Sequence, residues 1–420
     1  LLTTRPRGTN DFLPQETEKW QLIEKILREI CEEFDYHEIR IPIFEHTELF
    51  QRGVGETTDI VEKEMYTFMD RGKRSITLRP EGTASTARAY LEHKMSALPQ
   101  PVKLYYMGPM FRYERPQAGR YRQFHQFGVE VFGSSDPGVD AEVIALAMAF
   151  YQRLGLTGLE VRLNSVGCPK CRPAHRQALQ QFLKQDLEQL CPDCQGRYDR
   201  NPLRILDCKN PQCQKITAGA PTILHSLCPE CVDHFAAVKE YLGMAGIQYQ
   251  VDERLVRGLD YYTKTAFEVV VQEIGAQSAI CGGGRYDGLM ESLGGPPTPG
   301  VGFALGMERI FPTLATQGIE LNPEKMLDVY LVAMEEEGQK KAFQLLMDLR
   351  KMGIKAEKDY MNRSMKAQMK AANRFQVKYV LIIGADELAK GTVMIRNMET
   401  SEQKEMMVAD TLNFIEKAVK

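Results

Sequence analysis

The stretch FRYERPQAGRYRQFHQFGVEVFG, residues 111 to 133, places Arg112, Arg115, Arg120 and Arg122 in a loop ahead of a strand rich in aromatics and glycine. A strand-like run, KLYYMG at 103 to 108, precedes it. LEVRLNS at 159 to 165 and AFEVVV at 266 to 271 follow, separated by loops of glycine, proline and charge. Upstream, Trp20, Ile23, Leu27, Ile30 and Phe34 recur at helical spacing after Pro14, which predicts an amphipathic helix over residues 16 to 34. Strands and helices do not alternate regularly. Residues 1 to about 323 are therefore expected to form an antiparallel, α+β body.

The same stretch carries the densest chemical signal. Four guanidiniums against the single carboxylate of Glu114 repel one another unless an anion lies between them. The planar fork of arginine suits phosphate, to which it donates two parallel hydrogen bonds. The plain alternative is a solvated, salt-bridged hairpin loop. TLRPEGTAS at 77 to 85 sets Glu81 on a turn marked by Pro80 and Gly82, where a carboxylate could receive an ammonium group. RGLDYYTKTAFEV begins at Arg257, and ICGGGRYDGL carries Gly282 to Gly284, which either let a backbone approach a ligand or form a tight turn or bulge. GVGFALGMERI at 300 to 310 misses the dinucleotide fingerprint by one residue and lacks its βαβ setting. A glycine-lined surface for a flat ring, with Arg309 projecting from the following helix, is the better reading.

Composition bounds the possibilities. The chain has 420 residues, 53 Lys+Arg against 56 Asp+Glu, a net charge of -3 and 43% hydrophobic residues, which fits a soluble protein of two to four domains. No apolar run reaches membrane-span length, and the N-terminal LLTTRPRGTNDFLPQE has none of signal-peptide length, so a cytoplasmic protein without membrane contact is expected.

Eight of the ten cysteines lie between Cys168 and Cys231, in the pairs Cys168/Cys171, Cys191/Cys194, Cys208/Cys213 and Cys228/Cys231. Pairs at knuckle spacing chelate one ion from one turn, and four pairs suffice for two tetrahedral zinc sites. Disulfides, redox use and chance pairing stand against that reading. His175, His225 and His234 read as ordinary helix-surface or core histidines. Composition shifts toward cysteine and proline between about 166 and 250, as expected of a module inserted into the first domain. A second boundary falls at Gly318 to Lys325, and a compact α/β domain of order β-α-β-α-β-β-α is predicted for 328 to 420. There Arg363, Lys366, Lys370 and Arg374 share one predicted helix face, available to a phosphate backbone, and Met361, Met365, Met369 and Ala372 read as core.

Taken together and in order, these pieces resemble the histidyl-tRNA synthetases, a family of class II aminoacyl-tRNA synthetases, over nearly the whole chain. IRIPIFEHTELFQRGVGETTDIVEKEMYTF, with Pro42, FRYERPQAGRYRQFHQFGVE and GVGFALGMERI resemble the three class motifs. RGTNDFLP, LRPEGT, LVRGLDYYT and CGGGRYDGL are similar to signatures of the histidine enzymes. The resemblance implies activation of L-histidine by ATP with Mg2+, transfer to the terminal adenosine of tRNA(His), a homodimer, and an anticodon-binding C-terminal domain. It implies Arg257 and Arg112 as catalytic residues. Glu81, Gly82, Thr83, Arg112, Gln126, Glu130, Arg257, Tyr261 and Tyr262 would bind histidine, with Glu130 and Tyr262 at the two ring nitrogens. Arg112, Glu114, Arg120, Phe124 and Arg309 would bind ATP. Structural Zn2+ is not a general property of the family and rests on cysteine spacing alone.

The main rival is a non-catalytic, synthetase-like regulatory subunit of ATP phosphoribosyltransferase, against which stand the intact RGLDYYT and CGGGRYDGL signatures and the C-terminal domain. A different class II synthetase, or a zinc-dependent nucleic-acid binder, leaves the Glu81, Glu130 and Tyr262 set or the body motifs unexplained.

Overall fold

Alternation along the strands decides how the main sheet is used. In the strand Gln123–Phe132, Phe127, Val129 and Val131 point to one face, while Phe124, Gln126, Gly128 and Glu130 point to the other. The computed structural model describes residues 2–55, 58–117, 119–271, 279–323 and 327–419. Glu56 and Thr57 of the first motif, Ala118 and part of the 318 to 325 boundary lie outside the described residues.

An eight-stranded sheet is ordered His37–Glu38, Val102–Phe111, Gln123–Phe132, Gly300–Gly306, Ala279–Arg285, Thr263–Val271, Leu159–Ser165, Tyr249–Val251. Its six central strands pair antiparallel and its two edge strands pair parallel. The α+β expectation holds. Register carries the alternation across the sheet: Glu130 faces Gly302, Gly302 faces Gly284, and Gly282 faces Glu268. Even-numbered positions of these strands thus share one face. Odd-numbered ones, including Val129, Phe303, Leu305, Phe267 and Leu163, pack with Ile23, Leu27 and Ile30 of the helix Pro14–Glu33 and with the helix Pro137–Arg153. Each such side chain, fully buried, contributes roughly 1.5–3 kcal/mol of burial free energy.

The glycine run Gly282 to Gly284 is strand interior, with a register irregularity between Gly284 and Arg285. Arg285 is wholly buried and is held by Asp140 at 3.0 Å and Asp287 at 3.1 Å. A smaller three-stranded sheet, Phe44–His46, Ser75–Leu78 and Tyr66–Met69, lies on the segment before the helix Thr83–Glu92.

The chain divides into two units, Leu1–Leu321 and Asn322–Lys420. The second has a five-stranded sheet ordered Ala356–Lys358, Val329–Ala333, Tyr379–Ile383, Thr392–Asn397, Gln403–Met407. It contains two elements absent from the sequence-based order, the helix Ala385–Lys390 and the strand Gln403–Met407. The first is a short helix capped by the Glu387 carboxylate accepting from the Gly384 amide at 2.8 Å. The second is a mostly exposed edge strand whose polar sequence lacks alternation. Three residue placements also differ from expectation. Arg363 precedes the helix Met365–Arg374 and pairs with the buried Asp359, leaving Lys366, Lys370 and Arg374 exposed on the helix. Met361 and Met365 are exposed rather than core, because the helix starts after them or at its first turn, whereas Met369 is half-buried and Ala372 buried.

Candidate active site

The polar face of the main sheet is floored by glycines because bulky groups must lie close upon it. A Cβ at Gly128 or Gly82 would overlap the Tyr106 ring, one at Gly302 would overlap the Glu130 carboxylate, and one at Gly282 the Arg257 guanidinium. Above this floor opens a cavity of ≈ 420 Å³, within the range of small-ligand sites.

One part of the site is a buried acid network. Glu81, at the N-terminus of the helix Thr83–Glu92, accepts the Thr83 amide at 2.7 Å and the Ala84 amide at 2.9 Å. These bonds and the helix terminus favour its charge, but burial is the larger effect and raises its pKa. Each oxygen keeps acceptor capacity for a further donor. Thr83 in turn donates its hydroxyl to Glu130 at 2.6 Å. Tyr106 donates to the same oxygen at 3.2 Å, and Tyr286 donates to the other. Burial pushes the Glu130 carboxyl up to about 8 against the pull of Thr83 and Tyr286. Tyr261 packs between Tyr262 and Tyr286, with ring centroids 4.7 and 5.3 Å away.

The other part is cationic. Arg112 donates to the Pro80 carbonyl at 2.8 Å and lies 5.2 Å from the Phe124 ring centroid. Glu114 joins Arg112, at 3.9 Å, to Arg120, at 3.4 Å. Arg309 donates to the Ala279 carbonyl at 2.8 Å. Arg257 pairs with Glu268, the one carboxylate in the strand Thr263–Val271. Buried polar atoms of Gln126 (Oε1) and Glu308 (Oε2) have no partner among the described residues. A bound molecule could satisfy both.

Of the thirteen residues that the resemblance assigned to catalysis, histidine or ATP, the cavity is lined by Glu81, Thr83, Arg112, Glu114, Arg120, Phe124, Gln126, Arg257, Tyr261, Tyr262 and Arg309. Gly82 and Glu130 lie behind the lining, Gly82 against the Tyr106 ring and Glu130 beneath its three hydroxyl donors. The four arginines of the loop do not converge. Arg112 and Arg120 line the cavity; Arg122 stacks on Tyr113, its guanidinium carbon 3.9 Å from the ring centroid, and Arg115 is exposed. Tyr106, Tyr286 and Glu268 were not assigned from the sequence. A lone carboxylate inside the apolar run AFEVVV was the available signal for Glu268.

The eight cysteines form two four-thiol groups. Cys168, Cys171, Cys228 and Cys231 make one, and Cys191, Cys194, Cys208 and Cys213 the other, each with sulfurs within 4.8 Å of one another. Within them the Sγ distances Cys168–Cys171, Cys168–Cys228 and Cys191–Cys208 are 3.6, 3.8 and 3.8 Å. None is at disulfide length. A tetrahedral zinc with Zn–S bonds of about 2.3 Å separates its sulfurs by roughly 3.8 Å, so the donor set fits that ion. His175, buried and bonded to the Pro221 carbonyl at 2.8 Å, belongs to neither group, nor do His225 and His234.

The family model described as "Histidyl-tRNA synthetase" matches residues 8–310, and the one described as "Anticodon binding domain" matches residues 328–418. A histidine–tRNA ligase of Desulforamulus reducens is 62% identical over 415 residues, 99% of each chain. One of Moorella thermoacetica is 59% identical over 417 residues, again 99% of each. Among solved structures, apo histidyl-tRNA synthetase of S. aureus is similar with a TM-score of 0.85 at 44% identity, covering 99% of this chain and 100% of that one.

Proposed function

The chain belongs to the histidyl-tRNA synthetase family, and from that premise we propose how its residues divide the work of a histidine–tRNA ligase. The reaction class is an aminoacyl-tRNA synthetase with tRNA, histidine and ATP as partners, and the second unit is an anticodon-binding domain. In the proposed division, the histidine ammonium is bound by Glu81 and Thr83 at the glycine turn of Gly82, and its carboxylate by Gln126. Glu130 and Tyr262 read the imidazole beside Tyr261. Glu130 Oε2, which takes only the Tyr286 hydroxyl, keeps acceptor capacity for the ring. A site that satisfies both a ring donor and a ring acceptor rejects apolar isosteres, which would leave its buried groups unpaired.

ATP is the second substrate. Phe124 stacks on adenine, Glu114 reads its amino group, and Arg120 and Arg309 hold the bent triphosphate. Arg112 and Arg257 meet the α-phosphate as the histidine carboxylate attacks and pyrophosphate leaves. Charge grows there in the transition state, so fixed cations aimed at it contribute most of the rate. Magnesium accompanies ATP; Glu308, with its buried unpartnered oxygen, is the carboxylate that would hold it. The Cys168/Cys171/Cys228/Cys231 and Cys191/Cys194/Cys208/Cys213 groups would each hold a structural zinc, which supplies fold rigidity and no open coordination position.

A homodimer through the Pro42 segment is supported by the exposed Ile43 and, on the small sheet that follows it, Phe44, Phe68 and Met69. No described helix is long and apolar enough to cross a membrane; a cytoplasmic location is part of the same reading. The observation that carries the whole is one cavity lined by both the Glu81/Thr83 acid network and the Arg112/Arg257/Arg309 cations. ATP–pyrophosphate exchange with each of the twenty amino acids tests it. Exchange with histidine alone is expected; no exchange from folded, ATP-binding protein would favour the regulatory-subunit reading.

A further inference from the structure

The segment that carries Arg257 has no helix or strand of its own between Val256 and Tyr262. Besides the Arg257–Glu268 pair and the Asp260 amide's bond to the Val54 carbonyl at 3.3 Å, it is tied down from the cysteine-rich insertion. Arg204 Nη1 donates to the Gly258 carbonyl at 2.6 Å. Asn201 Nδ2 donates to Asp260 Oδ1 at 2.7 Å. Arg172 donates to the Tyr262 carbonyl. Three alternate residues of the segment are thus fixed by three side chains of one module. The same module reaches a second wall of the cavity, where Arg197 and Arg204 meet Asp59 at 3.1 and 3.5 Å. Arg204 and Asp59 both line the cavity.

The placement of these side chains relative to the thiols matters. Arg172 directly follows Cys171, and Arg197, Asn201 and Arg204 all lie in the chain between Cys194 and Cys208, which belong to one four-thiol group. Closing that group therefore closes a loop around the contact residues and restricts where they can go.

We infer that the insertion is an intramolecular clamp on the Arg257 segment, with Asn201 and Arg204 as positioning residues for histidine activation. The clamp stands on the hydrogen bonds alone; its dependence on metal rests on the zinc reading given above. A misplacement of about 1 Å of a group acting in the transition state costs on the order of a hundredfold in rate, while ground-state contacts elsewhere in the site are unchanged.

The test uses the full-length protein. Asn201→Ala should lower the single-turnover rate of adenylate formation at least tenfold, with the Kd for ATP, the melting temperature and the zinc content within twofold or a few degrees of the parent. The exchange Asn201→Asp with Asp260→Asn restores a donor and an acceptor across the same contact, and should recover the rate to within threefold. Where Asn201→Ala fails to fold, Arg204→Gln, too short to reach the Gly258 carbonyl, should show the same loss of rate without loss of ATP binding. An unchanged rate in a folded variant, or no recovery in the folded exchange variant, overturns the clamp. The metal reading fails separately: a parent protein without zinc whose Asn201→Ala variant is still slow keeps the clamp and removes the metal. A Cys194→Ser, Cys208→Ser protein that loses one zinc and keeps its full rate removes the link between them.

Discussion

Arg257 and Glu268 pair across Gly282, the glycine that faces Glu268 in the neighbouring strand and leaves room for the guanidinium. The carboxylate holds the arginine in the cavity before any substrate is bound. Pre-organisation of this kind moves little on reaction, so its effect appears in the rate rather than in affinity. Arg257→Ala is expected to lower adenylate formation by about a hundredfold or more while histidine binding weakens far less. Glu268→Gln, which keeps a hydrogen bond but not the charge, should lower the rate less. Single-turnover kinetics alongside calorimetric histidine binding measures both, and an unchanged rate for Arg257→Ala would refute its role.

Adjacent glycines of the same strand should respond differently. A methyl at Gly282 meets the movable end of Arg257, but one at Gly283 meets the Gly302 carbonyl and the Phe303 main chain. Gly282→Ala is therefore expected to impair adenylation with little change in thermal stability. Gly283→Ala should destabilise by roughly 1–3 kcal/mol, the usual range for overpacking a core. Thermal melts and pyrophosphate exchange on the two variants separate the cases; equal losses of stability would count against the glycine floor.

Much of this site was legible only through the family resemblance, and the sheet's period of two gives the physical reason that the assigned residues fall together. Phe124, Gln126 and Glu130 stand at even spacing in one strand, and a polar residue repeated on one face of an otherwise apolar strand must look into something other than the core. The arginine loop was less legible. Charge density alone could not separate Arg112 and Arg120, which face the cavity, from Arg122, which is taken up by Tyr113. Tyr106 and Tyr286 were hidden because a tyrosine hydroxyl finds its partner only through tertiary register, here Glu130 between two strands. The pairing of cysteines into two nested groups was likewise beyond spacing, since four knuckles can be combined two by two in several ways. In the second unit, the strand Gln403–Met407 was missed because an exposed edge strand needs no apolar face.

Glu130 predicts a pH dependence. Burial, with the nearby charge of Glu81 adding to it, raises its carboxyl to about 8, whereas an unfolded glutamate titrates near ~4.3. Between these values the folded protein binds the extra proton, so stability from this group is full below ~4.3 and declines as pH rises toward about 8. The slope is at most about 1.4 kcal/mol per pH unit. Glu130→Gln keeps hydrogen-bonding capacity and cannot titrate. Its urea-unfolding free energy should therefore gain on that of the parent as pH is raised from about 5.5 to 8, with the gap constant above. Parallel pH profiles for the two proteins would exclude a neutral Glu130 in the folded site.

The two four-thiol groups predict a metal stoichiometry that thiol counting can check without reference to activity. Cys31 and Cys281 are buried singly and belong to neither group, so a folded protein with both groups occupied should offer almost no reactive thiol. Protein purified without added zinc is expected to carry two zinc ions per chain, and stripping them with a chelator should expose eight thiols. Because each group lies within the segment 168 to 231, loss of metal should open that segment to protease before the sheet core unfolds. Cobalt in place of zinc should give the intense thiolate-to-metal absorption of a tetrahedral four-sulfur site. Fewer than about one zinc per chain, with the eight thiols already free in the folded protein, would show that the spacing and the roughly 3.8 Å sulfur separations arise without a metal.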